Sequence, residues 1–383
     1  MLNDQRPFEY IDSSEALEAF CARARATKSP IAVDTEFARE TTYFSKLCTI
    51  QIATQSELAL IDALAPGIDL DLLKPLFLDQ NIIKIFHAAR QDLEIFYHMW
   101  DALPAPIADT QIIAMVNGFG DSVGYQSLVK SLMQVTLCKE HRISDWLQRP
   151  LTQAQIQYAM GDVIYLIDMH HKLMNQIKDR ASWIEEELNI LTQVDTYRIE
   201  PKNAWMRLKI PAPISPQAFS VIQALAFWRE EEAVAQDKPR HHILKNPTLW
   251  EIVKSSNPET KAKNLLKQKY IRKSLEPSLL KCLEEREKAP IVPESLRTAS
   301  NASASDALVL EILKTLFKLV CQHHGIAPKL LCSTDVLKQI VAGNRNDLNV
   351  LEGWRYEIFG AEALRLLEGK SSLKIIDGVV TVC

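Results

Sequence analysis

The chain has few of the residues and segments that mark several large classes of protein. Only seven of its 383 residues are cysteines, and none stands in a Cys-x-x-Cys spacing, which argues against a disulfide framework. A membrane-spanning helix requires a run of about 18 apolar residues, and the sequence has none. The start lacks the segments of a signal peptide, and no Walker-type phosphate loop is present. We therefore expect a soluble, cytoplasmic protein with no membrane partner and no nucleotide cofactor.

What the chain does contain predicts several domains of unlike charge. With 383 residues and only 11 glycines, two or three domains rich in helix are expected. The formal net charge of -4 divides into -11 for residues 1–200 and +7 for residues 201–383. This division predicts an acidic, metal-binding half and a basic half able to contact polyanions. The alternative is solvated surface charge without a function.

Two acids close a short apolar stretch, Ile31 to Phe37, which reads IAVDTEF. In a strand, alternate residues share a face, so Asp34 and Glu36 are expected to project from the same side. Their repulsion would be relieved by a divalent cation, which prefers oxygen ligands. A strand that runs into a polar loop is the alternative, and an isolated Asp-x-Glu does not decide between them.

Further acids follow at two places. Asp92 comes just after the apolar run from Ile82 to His87, which is typical of a buried strand. A capping-box signal at Thr152 predicts a long helix, whose apolar positions recur every three or four residues as far as Met174. Tyr158 and Asp162 lie four residues apart beside this stripe and therefore share one neighbouring face. Strands and helices alternate through this half, which indicates an α/β domain.

The second half is predicted to be helical throughout. Prolines at 201, 211, 213 and 216 mark a boundary, and residues 289–305 have the composition of a linker. At an offset of 88 residues, the apolar positions of one helical part fall on those of the other, which indicates two copies of one module. The alternative is that any two amphipathic helices can be aligned in this way. The paired positions are Val221, Ile222, Leu225, Leu249, Ile252 and Val253 with Val309, Leu310, Leu313, Leu337, Ile340 and Val341.

The acids match, in order and context, the three exonuclease motifs of the DEDD superfamily. Tyr158 and Asp162 resemble the tyrosine branch, since the histidine of the other branch would stand at Gln157. The stretches IAVDTEF, KIFHAARQDLEIF, ADTQIIA, YAMGDVIYL and AWMRLKI resemble the bacterial ribonuclease D family across essentially the whole chain, and each helical repeat resembles an HRDC module. Gly161 departs from the expected pattern, at a position that is not a predicted ligand.

The resemblance implies an α/β ribonuclease-H-like exonuclease domain followed by two all-α HRDC modules. The expected bounds are 1–204, 214–289 and 302–378. It implies a monomeric 3′–5′ exoribonuclease that releases 5′-mononucleotides and acts in tRNA 3′ processing on tRNA precursors and other small structured RNAs. Two alternatives remain, a DNA 3′–5′ exonuclease of the same superfamily and a non-catalytic RNA-binding scaffold with a relict site.

The resemblance also implies residue roles. Two divalent ions, Mg²⁺ or Mn²⁺, are expected, with Asp34 bridging both, Glu36 and Asp162 completing one site and Asp92 serving the other. Tyr158 is expected to orient the attacking water, since an ordinary tyrosine hydroxyl ionises only near pH ~10. Its alternative is a packed helix tyrosine. The candidate substrate-binding residues are Thr35, Phe37, Tyr43, Gln51 and His87.

A basic run with one aromatic residue is a candidate RNA contact. Its positive side chains would face phosphates, or they belong to a solvated helix face. Phe37 and Tyr43 could stack on bases or lie in the core, and His87 could line the cleft or be satisfied by the backbone. The basic residues, which surround Tyr270, are Lys261, Lys263, Lys267, Lys269, Arg272 and Lys273.

Overall fold

The computed structural model describes residues 4–137, 144–177, 179–297 and 304–383. They form two compact units. The first unit comprises Met1–Glu36, Leu47–Tyr197 and Ala302–Cys383, and the second comprises Phe37–Lys46 and Arg198–Asn301. Among the described residues, no helix combines the length and the apolar composition needed to cross a membrane.

A six-stranded mixed sheet forms the centre of the α/β part, with strand order β1-β4-β3-β2-β5-β6. β2 pairs with β5, and β5 with β6, in parallel, whereas β3 and β4 are antiparallel. Ile31, Ala32 and Val33 on β2 are fully buried, as expected of a strand covered on both faces. The strands are β1 (Phe8–Ile11), β2 (Ile31–Ala38), β3 (Lys46–Ala53), β4 (Leu58–Asp62), β5 (Lys84–Phe86) and β6 (Ile107–Asp109).

In the part of the chain that the structure describes, eight α-helices accompany the sheet. Helix α3 begins after β5 and α4 begins after β6, so both start at the same edge of the sheet, because these strands are parallel. The helices are α1 (Ser14–Thr27), α2 (Lys74–Phe77), α3 (Arg90–Trp100), α4 (Thr110–Val116), α5 (Tyr125–Met133), α6 (Gln153–Gly161), α7 (Leu166–Met174) and α8 (Ala181–Leu191).

The prediction of one long helix from Thr152 to Met174 is wrong, although its capping box is present. The chain forms α6 and α7 with a turn between them. The amides of Asp162 and Val163 donate to the carbonyls of Ala159 and Met160, three residues back, each at 3.2 Å. These bonds make a tighter turn than an α-helix, and they place Asp162 at the end of α6.

The helical region of the second unit has its own core. The predicted apolar positions of the first repeat, Val221 to Val253, are all buried there. The 3-10 helix Pro201–Arg207 precedes this region. The helices are α9 (Pro216–Ala235), α10 (Arg240–Ile243), α11 (Asn246–Val253), α12 (Pro258–Lys267), α13 (Glu276–Glu285) and α14 (Glu294–Arg297).

The C-terminal region is helical as far as Leu367 and ends in a hairpin. The expectation of an all-α region is therefore wrong for residues 373–382. Asp377 and Gly378, both with positive φ, form the two-residue turn that such hairpins favour. The elements are α15 (Ala304–His324), α16 (Pro328–Leu331), α17 (Thr334–Val341), α18 (Gly353–Arg355), a π-helix (Tyr356–Gly360), α19 (Ala361–Leu367), β7 (Leu373–Ile376) and β8 (Val379–Val382).

Candidate active site

Strand β2 carries two of the predicted metal ligands just beyond its buried start. Asp34 and Glu36 are separated by one residue, so they lie on the same side of the strand. Asp162, at the end of α6, joins them. One carboxylate oxygen from each of the three residues lies within 4.8 Å of the other two. The structure therefore brings together three of the four acids that the sequence singled out.

The fourth acid, Asp92, is hydrogen-bonded to the same strand. It lies in the first turn of α3 and is only 6% exposed. The hydroxyl of Thr35, which stands between Asp34 and Glu36, donates a hydrogen bond to the Asp92 carboxylate. Thr35 is itself buried, so its hydroxyl contacts Asp92 and the interpretation of Thr35 as a substrate contact is corrected.

The four carboxyls are destabilised in their ionised form. Burial, and after it the charge of Asp92, raises the pKa of Asp34 well above its ordinary value. Burial likewise raises the pKa of Glu36 to about 8, and those of Asp92 and Asp162 to about 7. A cation between the carboxylates would relieve both the desolvation and the repulsion. Because every donor in the cluster is a carboxylate oxygen, the residues fit a hard divalent cation.

Tyr158 lies beside this cluster. Its side chain makes a hydrogen bond to Asp162, one helical turn further along the chain, which opposes the effect of burial on the pKa of Asp162. Tyr158 and three of the acids, Asp34, Glu36 and Asp162, open into one cleft of about 420 Å³. The cleft is lined by Asp34, Glu36, His87, Gly124, Tyr125, Gln126, Ser127, Tyr158 and Asp162.

One wall of the cleft was missed by the sequence reasoning. It consists of Gly124 and the first three residues of α5, from Tyr125 to Ser127. Tyr125 is 9% exposed, and burial, followed by the charge of Asp162, raises the pKa of its hydroxyl well above the usual range. In the sequence, no spacing relates these residues to the acids.

His87 lines the cleft, as predicted, but both of its ring nitrogens have partners. Nδ1 lies 2.9 Å from the hydroxyl of Thr110, and Nε2 lies 3.0 Å from the carbonyl of Val123. Burial lowers the pKa of His87. The ring therefore connects β5 to the loop before α5.

The other candidate substrate-binding residues lie elsewhere. Gln51 is fully buried on β3 and donates to Thr49 at 2.6 Å, which corrects its interpretation as a cleft residue. Phe37 is half-buried and does not line the cleft.

Tyr43 belongs to the core of the second unit. Its ring is 9% exposed among the apolar side chains of that core, its hydroxyl hydrogen-bonds to Glu230 at 2.5 Å, and Arg240 donates to the hydroxyl at 2.8 Å. Burial alone would raise the pKa of Glu230, but the hydrogen bonds from Arg240 and Tyr43 hold it below its usual value. A buried ring cannot stack on a base, so the interpretation of Tyr43 as a substrate contact is corrected.

Replacing Tyr43 by Phe should lower stability without lowering exonuclease activity. The variant leaves buried Glu230 with one donor fewer, and we expect a loss of about 1 to 3 kcal/mol in the free energy of unfolding. Urea unfolding and digestion of a labelled RNA measure the two effects. The matched control for stability is Tyr270→Phe, at a tyrosine of the same unit that is 69% exposed, which should change it by less than about 0.5 kcal/mol. A Tyr43→Phe protein of normal stability and poor activity would contradict the structural role.

The basic run lies on and just after α12 and is mostly exposed. Lys261 pairs with Glu251 at 2.8 Å, and Arg272 donates to Gln236 at 2.9 Å. Tyr270 is exposed among them. The remaining basic residues of the run are exposed to solvent, and these are Lys263, Lys267, Lys269 and Lys273.

The fold and the acidic cleft define a class of protein. The family model described as 3′-5′ exonuclease matches residues 8–178, which contain all four acids and Tyr158. The model of the HRDC domain matches residues 218–270, which lie in the helical region of the second unit. The chain is thus a 3′–5′ exonuclease with an HRDC domain.

Relatives and a solved structure show the particular family. Ribonuclease D of Jannaschia sp. is 40% identical over 375 residues, covering 95% of this chain and 96% of that protein. Ribonuclease D of Sphingobium indicum is 38% identical over 381 residues, 96% of each. The crystal structure of Escherichia coli RNase D, described as an exoribonuclease involved in structured RNA processing, is similar with a TM-score of 0.79 at 30% identity, over 94% of this chain and 99% of that one.

This chain belongs to the ribonuclease D family. The predicted activity, that of a metal-dependent 3′–5′ exoribonuclease, is confirmed by this membership.

Proposed function

We propose that this chain shortens RNA from its 3′ end, one 5′-mononucleotide at a time, at the cleft between β2, α5 and α6. The observation that carries the proposal is the convergence of Asp34, Glu36 and Asp162 within 4.8 Å beside Tyr158. A divalent cation at this position would neutralise the three acids and offset the cost of burying them.

We assign the ligand roles as follows. Asp34 would be shared between two divalent ions, Glu36 and Asp162 would complete one site, and Asp92 would serve the other. Two such ions, Mg²⁺ or Mn²⁺, would supply an activated water and stabilise the attacking and leaving oxygens of an in-line displacement. Thr35 holds the Asp92 carboxylate in place through its hydrogen bond.

Tyr158 orients the attacking water. Its hydrogen bond to Asp162 holds the side chain beside the acids in the cleft. From that position, a hydroxyl can direct a lone pair of the water toward the phosphorus without accepting its proton. Such positioning is a large part of catalysis where the reacting atoms must be aligned.

The C-terminal region is a second HRDC-type module that has diverged. Helices α9, α10 and α11 begin at residues 216, 240 and 246, and α15, α16 and α17 begin at 304, 328 and 334, a constant offset of 88. Their lengths are 20, 4 and 8 residues against 21, 4 and 8. In the part that the structure describes, α12 has no counterpart after α17, so the basic run of the first module is not repeated.

The substrates that we propose are tRNA precursors and other small structured RNAs with 3′ extensions, processed in the cytoplasm by a monomer. The domain bounds 1–204, 214–289 and 302–378 belong to the same proposal; residues 1 and 302 lie outside the described residues. The exposed lysines on and after α12 contact phosphates of the RNA body, as positive side chains at such a surface do.

One assay tests this function. A 5′-labelled tRNA with a 3′ extension, incubated with the protein and Mg²⁺ or Mn²⁺, should give a ladder of products that shorten from the 3′ end, and a chelator should abolish it. A DNA strand matched to the extension is the control, since only contacts to the 2′-hydroxyl distinguish the two sugars. Faster digestion of DNA would favour a DNA exonuclease, and binding without digestion under any metal would favour a relict site.

A further inference from the structure

The loop between α4 and α5 connects the cleft to the C-terminal region. We call residues 117–124 the linking loop. At its far end, the carbonyl of Val123 lies 3.0 Å from Nε2 of His87 and accepts a hydrogen bond from Gln111 at 3.1 Å. Gly124 and the start of α5 follow at once and form the cleft wall. The position of that wall therefore depends on the linking loop.

The C-terminal region holds the same loop and the helix before it. We call residues 325–329, which follow α15 and include the first two residues of α16, the docking turn. The amide of Lys329 donates to Oδ1 of Asp121 at 2.7 Å, and its ammonium donates to the hydroxyl of Ser122 at 2.6 Å. The amide of Ala327 donates to the carbonyl of Met115, near the end of α4, at 3.0 Å. The docking turn thus contacts the chain on either side of Gly118.

Gly118 shows how closely the two segments approach. It has φ +79°, and a Cβ atom placed on it would lie 2.4 Å from the carbonyl oxygen of Gly325 in the docking turn. The Cβ atom of any other residue would clash with the backbone of Gly325, which cannot move away as a flexible side chain could. The close approach requires glycine at this position.

Partly buried contacts from Arg180, just before α8, and from Trp183 on α8 also hold the C-terminal region. Arg180 donates to the carbonyls of Val116 at 3.0 Å and His324 at 2.5 Å. Trp183 stacks on Trp354 with ring centroids 4.5 Å apart. Arg180 thus joins the end of α4 to the end of α15, next in sequence to the linking loop and the docking turn, and this limits independent motion of the two segments.

We propose that the C-terminal region sets the position of the cleft wall through the linking loop, and that Asp121 and Gly118 are positioning residues for RNA hydrolysis. This inference rests on the proposed exonuclease site. It gives the C-terminal region a role in turnover that is separate from any contact with the body of the RNA.

The first test is Asp121→Ala, an exposed change that removes the acceptor of the Lys329 amide. Turnover of both a trinucleotide and a long RNA should fall by about fivefold to tenfold, because the loss of one hydrogen bond displaces the wall of the cleft. Asp121→Asn keeps an acceptor oxygen and should restore most of the turnover. The control is Lys338→Ala, since Lys338 pairs with Asp335 on the exposed face of α17 and should be without effect.

The second test uses two glycines with the same positive φ. Gly118 and Gly67 both have φ +79°, but a Cβ atom on Gly67 would meet nothing within 4 Å. Gly118→Ala should lower turnover at least about tenfold more than Gly67→Ala. Melting temperatures of the two variants show whether the loss comes from unfolding, and a comparison at equal folded fraction removes that contribution.

Hydrogen exchange separates a failure of this inference from a failure of the proposed function. In Asp121→Ala, amides at the start of α5 should exchange faster than in the wild type, whether or not the protein digests RNA. Unchanged exchange and a trinucleotide turnover within twofold of the wild type would overturn the positioning role. A raised KM for long RNA alone would also overturn it and would make the linking loop an RNA contact.

Discussion

Asp34→Asn should abolish metal-dependent digestion of RNA while leaving the fold intact. The amide keeps the size of the carboxylate but carries no charge and is a poor ligand for a hard cation. Because Asp34 is the proposed ligand of both ions, its loss removes the stabilisation of the attacking and the leaving oxygen together. We expect turnover to fall by at least about a thousandfold, measured as release of labelled mononucleotide with Mg²⁺ or Mn²⁺.

The binding of Mn²⁺ to this variant can be measured without an activity assay. Mn²⁺ should raise the melting temperature of the wild-type protein, since it binds the folded cluster alone, and this shift should be smaller or absent in Asp34→Asn. Asp71→Asn is the matched control, at an exposed aspartate that pairs with Lys74, and it should retain both activity and the Mn²⁺ shift. An active Asp34→Asn enzyme would refute the metal assignment.

Most of the acidic cluster could be predicted because its members follow local rules. The alternation of a strand places Asp34 and Glu36 on one side, and the period of a helix places Tyr158 one turn from Asp162. Asp92 was expected just after a buried strand, but only the match to known motifs related it to the other acids. Short-range geometry therefore predicted the two pairs, Asp34 with Glu36 and Tyr158 with Asp162, and the motif match joined them to Asp92 and supplied the chemistry.

The remaining features depend on contacts that no local pattern specifies. Tyr43 resembles a cleft aromatic in sequence, yet Glu230 and Arg240, almost 200 positions away, hold it in a core. The turn at Asp162 interrupts an apolar stripe that continues on both sides, so periodicity alone predicted one helix. By contrast, the hairpin at Asp377 and Gly378 had a sequence signal, a two-residue turn between β-branched runs, which the helical expectation overrode.

Tyr158→Phe should lower turnover much more than it lowers affinity for RNA. The variant keeps the ring, which lies 6.2 Å from that of Trp146, and removes only the hydroxyl that hydrogen-bonds to Asp162. If the hydroxyl orients the attacking water, its contribution appears in the transition state and little of it in substrate binding. We expect kcat to fall by about a hundredfold and KM to change by less than about threefold, measured in steady state on a short RNA.

The control for this change is another tyrosine that donates to an aspartate. Tyr10 on β1 donates to Asp62 at 2.8 Å, outside the residues that line the cleft. Tyr10→Phe removes the same kind of hydrogen bond and should reduce stability while kcat stays near the wild-type value at equal folded fraction. If Tyr158→Phe behaved like Tyr10→Phe, the hydroxyl of Tyr158 would serve only to hold Asp162, and the water would have to be oriented by the carboxylates alone.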